Sequence, residues 1–217
     1  MLYYIIIVYD AELIALEIIT LTDNRVLTSN CYIVLSGDSF SVVDPSVSYR
    51  RALLSVPSLV NYKPGYVLLT HGHFDHIREI ESYVDAGCKV LVTEHDAMLA
   101  ADIEMNCSVR LGESVAYSGE YCIISDGELI RVGDDVFRVI ETPGHTAGSV
   151  CYLTDGLIFT GDTLFANGGY GRFDAPSGNF DQLCTSLRKL FDLDENLKVY
   201  SGHGPETTLG LTKSFFG

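Results

Sequence analysis

One short stretch, residues 68–76, constrains more than any other what this chain can fold into. It overlaps an apolar run at residues 66–70, which predicts a buried strand that carries polar side chains to its C-terminal end. Three histidines and one aspartate follow: His71, His73, Asp75 and His76. Imidazole and carboxylate groups at such close spacing predict a metal site.

The spacing within this cluster predicts two metal ions. His71 and His73 are two residues apart, so on an extended backbone their side chains point to the same side and can share one ion. Asp75 and His76 are adjacent, and helical geometry turns neighbouring side chains about 100° apart. We therefore expect one pair of ligands for each ion.

Three further polar residues follow strand-like runs elsewhere in the chain. His145, Asp162 and His203 each come directly after a glycine, where a sheet projects side chains from one edge. Two neighbouring cations need a bridge, and the carboxylate of Asp162 has one oxygen for each. The remaining histidine, His95, is interpreted as an ordinary solvated or structural residue.

Composition disfavours several classes of protein. Of the 217 residues, 47% are hydrophobic and the mean hydropathy is +0.20, which is enough for a sizeable core and excludes a disordered chain. The formal charge is -15, from 14 basic and 29 acidic residues. Such a charge repels phosphate backbones and anionic membranes, so we expect neither a nucleic acid nor a membrane as partner.

The N-terminal segment and the cysteines predict a cytoplasmic protein. The apolar residues 2–9 lack a basic n-region before them and are too few to span a bilayer, which leaves an edge strand, a buried strand or an extension. The cysteines form no Cys-x-x-Cys pair, and we predict that they are small buried side chains in a reducing compartment. They are Cys31, Cys88, Cys107, Cys122, Cys151 and Cys184.

The hydrophobic pattern predicts one domain over residues 1–217 in which strands dominate. Turns at residues 36–39 and 154–156 predict hairpins, and the strand, helix and strand around the cluster predict a partly parallel sheet. Residues 44–46 are expected to cap a helix. The predicted strands are 13–21, 31–35, 40–43, 66–70, 89–92, 121–124, 128–131, 137–141, 150–153, 157–160 and 197–200, and the predicted helices are 47–54, 77–84, 96–102 and 180–191.

The order and spacing of these motifs resemble the metallo-β-lactamase superfamily. All seven ligand positions of its dinuclear members are filled in this chain. The resemblance implies an α/β (α+β) fold, a four-layer αββα sandwich with the metals at one edge between two sheets. It also implies two ligand groups, namely His71, His73 and His145 for one ion and Asp75, His76 and His203 for the other, with Asp162 bridging.

Three segments narrow the resemblance to the glyoxalase II-like branch, the hydroxyacylglutathione hydrolases. These are residues 161–165, 171–174 and 202–208, and the likeness extends from about Asn30 to Gly210. Asp162 stands where class B β-lactamases commonly place a cysteine, which argues against antibiotic hydrolysis. The chain ends fourteen residues after His203, without the helical domain of full members, so we expect a short single-domain relative.

The resemblance implies hydrolysis of a small thioester such as an S-2-hydroxyacylglutathione by two divalent ions. Zinc fits these ligands best, and iron or manganese is compatible. Asp75 would orient the attacking hydroxide and is the candidate catalytic residue, while a leaving thiol of pKa about 8.5 needs little help from an acid. Tyr170, Arg172 and Phe173 are candidate substrate contacts, with Arg172 meeting either a substrate carboxylate or a neighbouring aspartate.

Other functions stay open at this point. A related branch, the sulfur dioxygenases, oxidises glutathione persulfide with one iron, here matching His71, His145 and Asp162. A metal-binding module without turnover is disfavoured because binding alone does not require the complete ligand set. Nuclease members of the superfamily are disfavoured by the negative charge, and the sequence leaves the oligomeric state open.

Overall fold

The computed structural model describes residues 16–25 and 27–216. Its strands are β1 Glu17–Leu21, β2 Cys31–Ser36, β3 Ser39–Val43, β4 Lys63–Leu68, β5 Lys89–Val92, β6 Tyr121–Ile123, β7 Leu129–Val132, β8 Asp135–Glu141, β9 Val150–Thr154, β10 Leu157–Gly161, β11 Lys198–Ser201 and β12 Thr207–Thr208. Its α-helices are α1 Tyr49–Ser55, α2 Phe74–Ile77, α3 Ile80–Val84, α4 Glu94–Ala101, α5 Phe180–Phe191 and α6 Leu209–Lys213. Short 3₁₀ turns lie at Pro57–Asn61, Val109–Leu111 and Ala166–Gly168.

These strands form two mixed six-stranded sheets. The first has the order β1-β2-β3-β4-β5-β6, and its pairs from β3 to β6 are parallel. The second has the order β12-β11-β10-β9-β8-β7, with a single parallel pair between β10 and β11. Both predicted hairpins, β2–β3 and β9–β10, are antiparallel pairs, and the partly parallel sheet around the cluster is confirmed.

The hydrophobic core forms three clusters between four layers. The middle cluster packs side chains of both sheets against each other, among them Leu68 and Phe159. A second cluster lies between the first sheet and α1, α3 and α4, and a third lies between the second sheet and α5 and α6. The predicted αββα sandwich is therefore confirmed.

Helix α5 shows how the sequence specifies one of these layers. The side chain of Asn179 caps its start by accepting a hydrogen bond from the Gln182 amide at 3.0 Å. Its apolar residues Leu183, Leu187 and Leu190 recur at helical spacing and are buried against the second sheet. The opposite face is polar and meets solvent.

The strand before the histidine cluster differs from its predicted bounds. β4 begins at Lys63 and ends at Leu68, whereas residues 66–70 were expected. Leu69 and Thr70 lie beyond the end of β4. The Leu69 amide donates to the Leu91 carbonyl of β5, whereas the Thr70 carbonyl accepts from the Val150 amide of the second sheet. The cluster thus starts where the two sheets meet.

The other elements agree with the sequence to different degrees. The remaining described strands and helix 180–191 lie within two residues of prediction. The helix expected at 77–84 is divided into α2 and α3, helix 96–102 is shifted to Glu94–Ala101, and the helix expected at 47–54 is Tyr49–Ser55 with Ser48 as its cap. β12 and α6 were not predicted.

Two expectations concern the N-terminal region and the cysteines. Residues 2–9 and residues 13–15 of the strand expected at 13–21 lie outside the described residues, and β1 forms that strand from Glu17 onward. Burial of the cysteines is confirmed for Cys31, Cys88 and Cys151 and is wrong for exposed Cys122, with the other two half-buried. Within the part of the chain that is described, no helix combines the length and apolar character needed to cross a bilayer.

Candidate metal centre

The seven candidate ligands meet at one edge of the sandwich. His71 and His73 follow β4, Asp75 and His76 lie on α2, and the other three follow strands of the second sheet. Six of the seven are buried and His203 is half-buried. The fold thus brings together residues from positions 71 to 203, and the structure leaves none of the seven outside the cluster.

The first group contains His71, His73 and His145. The Nε2 atom of His145 lies 3.1 Å from Nε2 of His71 and 2.8 Å from Nδ1 of His73. Because three imidazole nitrogens converge on one point, this group can hold a metal ion.

The second group contains Asp75, His76 and His203. Oδ2 of Asp75 lies 3.2 Å from Nε2 of His203 and 3.8 Å from Nε2 of His76. Asp75 and His76 are neighbours on the single turn of α2. His203 joins them from the second sheet, where it follows β11.

Asp162 lies between the two groups. Its Oδ2 is 3.5 Å from Nε2 of both His145 and His203, and its Oδ1 is 3.3 Å from Nε2 of His76. One carboxylate therefore contacts both groups, as a bridging ligand must.

Two glycines allow this close approach. A Cβ atom on Gly202 would lie 2.1 Å from Oδ1 of Asp162 and 2.7 Å from Cε1 of His76. A Cβ on Gly171 would lie 2.6 Å from Nδ1 of His145. Only glycine leaves room for the ligand side chains at these positions.

The hydrogen bonds of the cluster test whether it fits metal ions. Among the described residues, three buried side-chain atoms make no hydrogen bond: Nε2 of His73, Nε2 of His76 and Oδ1 of Asp162. The last two lie 3.3 Å apart but are not aligned as a hydrogen bond. All three belong to candidate ligands, and unpaired buried polar atoms are costly. Nitrogen and carboxylate donors that converge without saturating each other fit divalent cations well.

The protonation of the two groups differs. Burial lowers the pKa of His71 well below its usual range and, together with the neighbouring His145, lowers that of His73 to about 3, so these two imidazoles are neutral. Burial also acts to lower the pKa of His203, but the carboxylates of Asp162 and Asp75 outweigh it and raise that pKa to about 9. Without metal, the second group is therefore held by charge-assisted contacts.

Asp44, a buried carboxylate that the sequence pattern predicts to be part of a helix cap, supports both groups. Its Oδ2 accepts hydrogen bonds from Nδ1 of His76 at 2.9 Å and from Oγ1 of Thr70 at 2.7 Å, and its Oδ1 accepts from the Thr70 amide at 2.8 Å. Oγ1 of Thr70 is in turn 3.1 Å from Nδ1 of His71. These contacts turn Nε2 of both histidines toward the cluster.

The loop after β10 supports His145 and bears on the predicted substrate contacts. Nδ1 of His145 donates to the carbonyl of Arg172 at 2.6 Å. The guanidinium of Arg172 forms two hydrogen bonds to Asp174, at 2.8 and 3.1 Å, and both side chains are exposed. Phe173 packs on Phe180, with ring centroids 4.7 Å apart, and does not line the cavity over the ligands.

A cavity of about 270 Å³ opens over the ligands. Its apolar walls include Leu27, Phe74, Leu111, Phe165 and Tyr170. Its polar lining includes Arg172 and, from the turn Val109–Leu111, Arg110, which no sequence motif marks. A small organic molecule fits this volume above the two groups.

A family model described as the metallo-beta-lactamase superfamily matches residues 24–203, which include all seven candidate ligands. The chain belongs to the metallo-β-lactamase superfamily. The sandwich and the position of the cluster at its edge are those of the metallo-β-lactamase fold, which confirms the fold predicted from the motifs.

Curated relatives in the superfamily cover most of this chain. A probable metallo-hydrolase of Bacillus subtilis, YqgX, is 35% identical over 187 residues, which cover 83% of this chain and 87% of that protein. The hydroxyacylglutathione hydrolase GloC of Haemophilus influenzae is 30% identical over 206 residues, which cover 91% and 94% of the two chains. The chain is thus similar to metallo-hydrolases.

Solved structures of metallo-β-lactamase relatives share the fold closely. The B3 metallo-beta-lactamase BLEG-1 has a TM-score of 0.81 at 28% identity, covering 92% of this chain and all of that one. TTHA1623 in a di-iron-bound form has a TM-score of 0.76 at 29% identity, covering 91% and 96%. ETHE1 from Myxococcus xanthus has a TM-score of 0.69 at 27% identity, covering 91% and 81%.

Proposed function

We propose that this protein is a dinuclear metal hydrolase that cleaves small thioesters, such as S-2-hydroxyacylglutathiones, into an acid and a thiol. The observation that carries the proposal is the division of the ligands into two convergent groups with Asp162 in contact with both. The similarity to GloC supports the thioester as substrate.

The two groups would each hold one divalent ion, with Asp162 between them. When bound, the ions lower the pKa of a water molecule and polarise the carbonyl that it attacks. Zinc is the proposed metal because histidine nitrogens dominate the ligands. Iron is the alternative, because the similar protein TTHA1623 has a di-iron-bound form. Metal analysis of protein purified without added metal distinguishes the two.

Residues of the chain itself hold the reactants in place. Asp75 lines the cavity, where its Oδ2 could accept a hydrogen bond from the attacking water and orient it. Tyr170 and Phe165 would exclude bulk water and contact the apolar part of the substrate. A thiol with a pKa of about 8.5 leaves without a dedicated acid, which suits a cavity built from these groups.

Substrate recognition is proposed to involve the two arginines of the cavity. Arg172 is already paired with Asp174, whereas Arg110 has no ion-pair partner among the described residues. In a chain with a formal charge of -15, an unpaired cation at the mouth favours a substrate that carries a carboxylate. The same net charge disfavours nucleic acids as partners.

The test is thiol release by the full chain loaded with zinc. We expect turnover of at least one acyl thioester, with hydroxyacyl glutathione thioesters among the best, and loss of turnover in His73→Ala. A chromogenic cephalosporin serves as the competing substrate, because the similarity to the B3 metallo-beta-lactamase BLEG-1 makes a β-lactam the natural comparison. Cephalosporin hydrolysis without thiol release contradicts the proposal, and so does metal binding without any turnover.

The second candidate is persulfide oxidation at one iron held by His71, His145 and Asp162. These side chains do converge, because Nε2 of His145 lies 3.1 Å from His71 and 3.5 Å from Oδ2 of Asp162. This reaction leaves Asp75, His76 and His203 without a role, although they form a group of their own. Oxygen uptake with glutathione persulfide supports it, and thiol release that is equal with and without oxygen opposes it.

A further inference from the structure

A second buried carboxylate, Asp96, lies beside the candidate metal centre without touching any ligand side chain. It stands in the first turn of α4 and is fully buried. Its Oδ2 accepts hydrogen bonds from the Gly72 amide at 2.8 Å and from Oγ1 of Thr146 at 2.7 Å, and its Oδ1 accepts from the Gly148 amide at 2.8 Å.

The three donors come from the two loops that carry the first ligand group. Gly72 separates His71 from His73, and Thr146 directly follows His145. One carboxylate therefore fastens both loops, although Thr146 is 50 residues from Asp96 in the chain.

Both loops are pressed tightly against the start of α4. A Cβ on Gly72 would lie 2.5 Å from the carbonyl oxygen of Asp96, and a Cβ on Gly148 would lie 2.6 Å from its Oδ1. Thr93, the cap of α4, adds a fourth link because its Oγ1 donates to the Gly148 carbonyl at 2.8 Å. The distance between the loops is thus set by contacts with this one helical turn.

The charge of Asp96 has no counter-ion among the side chains nearby. No lysine or arginine of the described residues forms an ion pair with it, and its partners are two amides and one hydroxyl. A buried carboxylate without a cation is costly even when it is hydrogen-bonded. The first ligand group offers three imidazole nitrogens and no carboxylate of its own, so a cation bound there would face the charge of Asp96 across one loop.

We propose that Asp96 is a positioning residue for the first ion. It holds the loop of His71 and His73 at the distance from His145 that one ion requires, and its charge favours the cation. The inference rests on the metal centre of the proposed function and is independent of the thioester as substrate.

The variant Asp96→Asn tests this proposal. All three partners of Asp96 are donors, so an amide must turn its own N–H groups toward at least one of them. In titrations with Co(II) or Zn(II), we expect the first-group affinity of Asp96→Asn to fall about 10- to 100-fold, the usual effect of losing such a support. The second-group affinity should stay within about threefold. His73→Ala and His203→Ala assign the two binding steps to their groups.

The matched control is Asp102→Asn, an isosteric change just after the other end of the same helix. Asp102 is exposed and accepts hydrogen bonds from the amides of Glu104 and Met105 at 2.9 and 3.2 Å. We expect this variant to bind both ions as the unchanged protein does.

A second variant distinguishes a specific loss of metal affinity from general unfolding. Thr146→Val removes one donor and leaves the charge of Asp96 in place, so we expect a smaller loss of affinity at the same step. Urea unfolding of each metal-free variant runs in parallel. The proposal is overturned if Asp96→Asn binds the first ion normally, if both steps weaken equally, or if stability falls while the first-step affinity does not.

Metal titration also separates this inference from the proposed function. It uses no substrate, so absence of thiol release with a weakened first step in Asp96→Asn refutes the thioesterase and supports the role of Asp96. An unchanged chain that binds no divalent ion refutes both.

Discussion

Nδ1 of His76 lies 2.9 Å from Oδ2 of Asp44, and both side chains are buried. Asp44 follows β3, whereas His76 lies on α2, 32 residues later. Asp44 adopts a left-handed backbone conformation with a φ of +51°, which is unusual for a residue other than glycine. The strain is tolerated because the carboxylate satisfies two donors of Thr70 as well as the imidazole.

Replacement of Asp44 should destabilise the fold. In Asp44→Ala, the amide and hydroxyl of Thr70 and Nδ1 of His76 lose their acceptor inside the protein. Since each orphaned buried donor costs about 1–3 kcal/mol, we expect the free energy of unfolding of the metal-free protein to fall by about 3 kcal/mol or more. Urea denaturation followed by circular dichroism measures it. Asp38→Ala, which breaks an exposed pair with Lys63, should leave the midpoint of the urea transition essentially unchanged.

Replacing a ligand of one group should remove the ion of that group only. We expect His73→Ala to retain the second ion and His203→Ala to retain the first, because each removes a ligand from only one group. Each variant should lose at least about 100-fold in thiol release, since both ions share the work of catalysis. Metal analysis after dialysis gives the stoichiometry. His95→Ala is the control, since His95 is exposed on α4, and simultaneous loss of both ions in either ligand variant would contradict two separate groups.

Metal binding at the two groups should depend differently on pH. His203, with a pKa of about 9 in the metal-free protein, is protonated at pH 7, and an ion must displace that proton. Below pH 9, the affinity of the second group should therefore rise about tenfold per pH unit for each proton displaced. His73, with a pKa of about 3, has no proton to release, so the first group should respond much less. Calorimetric titrations between pH 6 and 8 compare the two, and equal slopes would contradict the expectation.

Gly202 should not tolerate a side chain. In Gly202→Ala, the new Cβ would lie 2.1 Å from Oδ1 of Asp162 and 2.7 Å from Cε1 of His76, so both ligands must shift. We expect loss of the second ion and of thiol release. Gly204→Ala is the neighbouring control, because nothing lies within 4 Å of its Cβ and its φ of +81° costs only about 1–2 kcal/mol. Comparable metal loss in both variants would show that backbone strain, rather than the ligand contact, is responsible.

Arg110 should matter more than Arg172 for acidic substrates. Arg110→Gln removes the unpaired cation of the cavity, so we expect a rise in KM of about tenfold for a thioester that carries a carboxylate, as for a charge-assisted hydrogen bond. A neutral thioester of the same length should be little affected, and kcat should be unchanged for both. Arg172→Gln should have a smaller effect because Asp174 already holds that guanidinium. Arg131→Gln, exposed on β7, is the control.

The candidate ligands could be recognised in the sequence because local patterns mark them. Each ligand follows a recognisable strand or glycine turn, and the alternation of His71 and His73 reflects extended backbone. Asp44 carried a similar signal, since it too follows a strand, but its position before a proline favoured a helix cap. Arg110 carried no signal, because it lies in an irregular segment with no periodic pattern.

The sequence by itself determined most of the strands, the hairpins and the candidate ligands, because hydrophobic periodicity and local spacing depend on neighbours in the chain. The four layers followed from the family resemblance. Only the tertiary structure decided the distances between those residues and the side chains that support them. His145 joins His73 across 72 residues, and Asp96 fastens Thr146 across 50. Such contacts depend on how the two sheets pack together, and the local sequence does not encode contacts between residues so far apart in the chain.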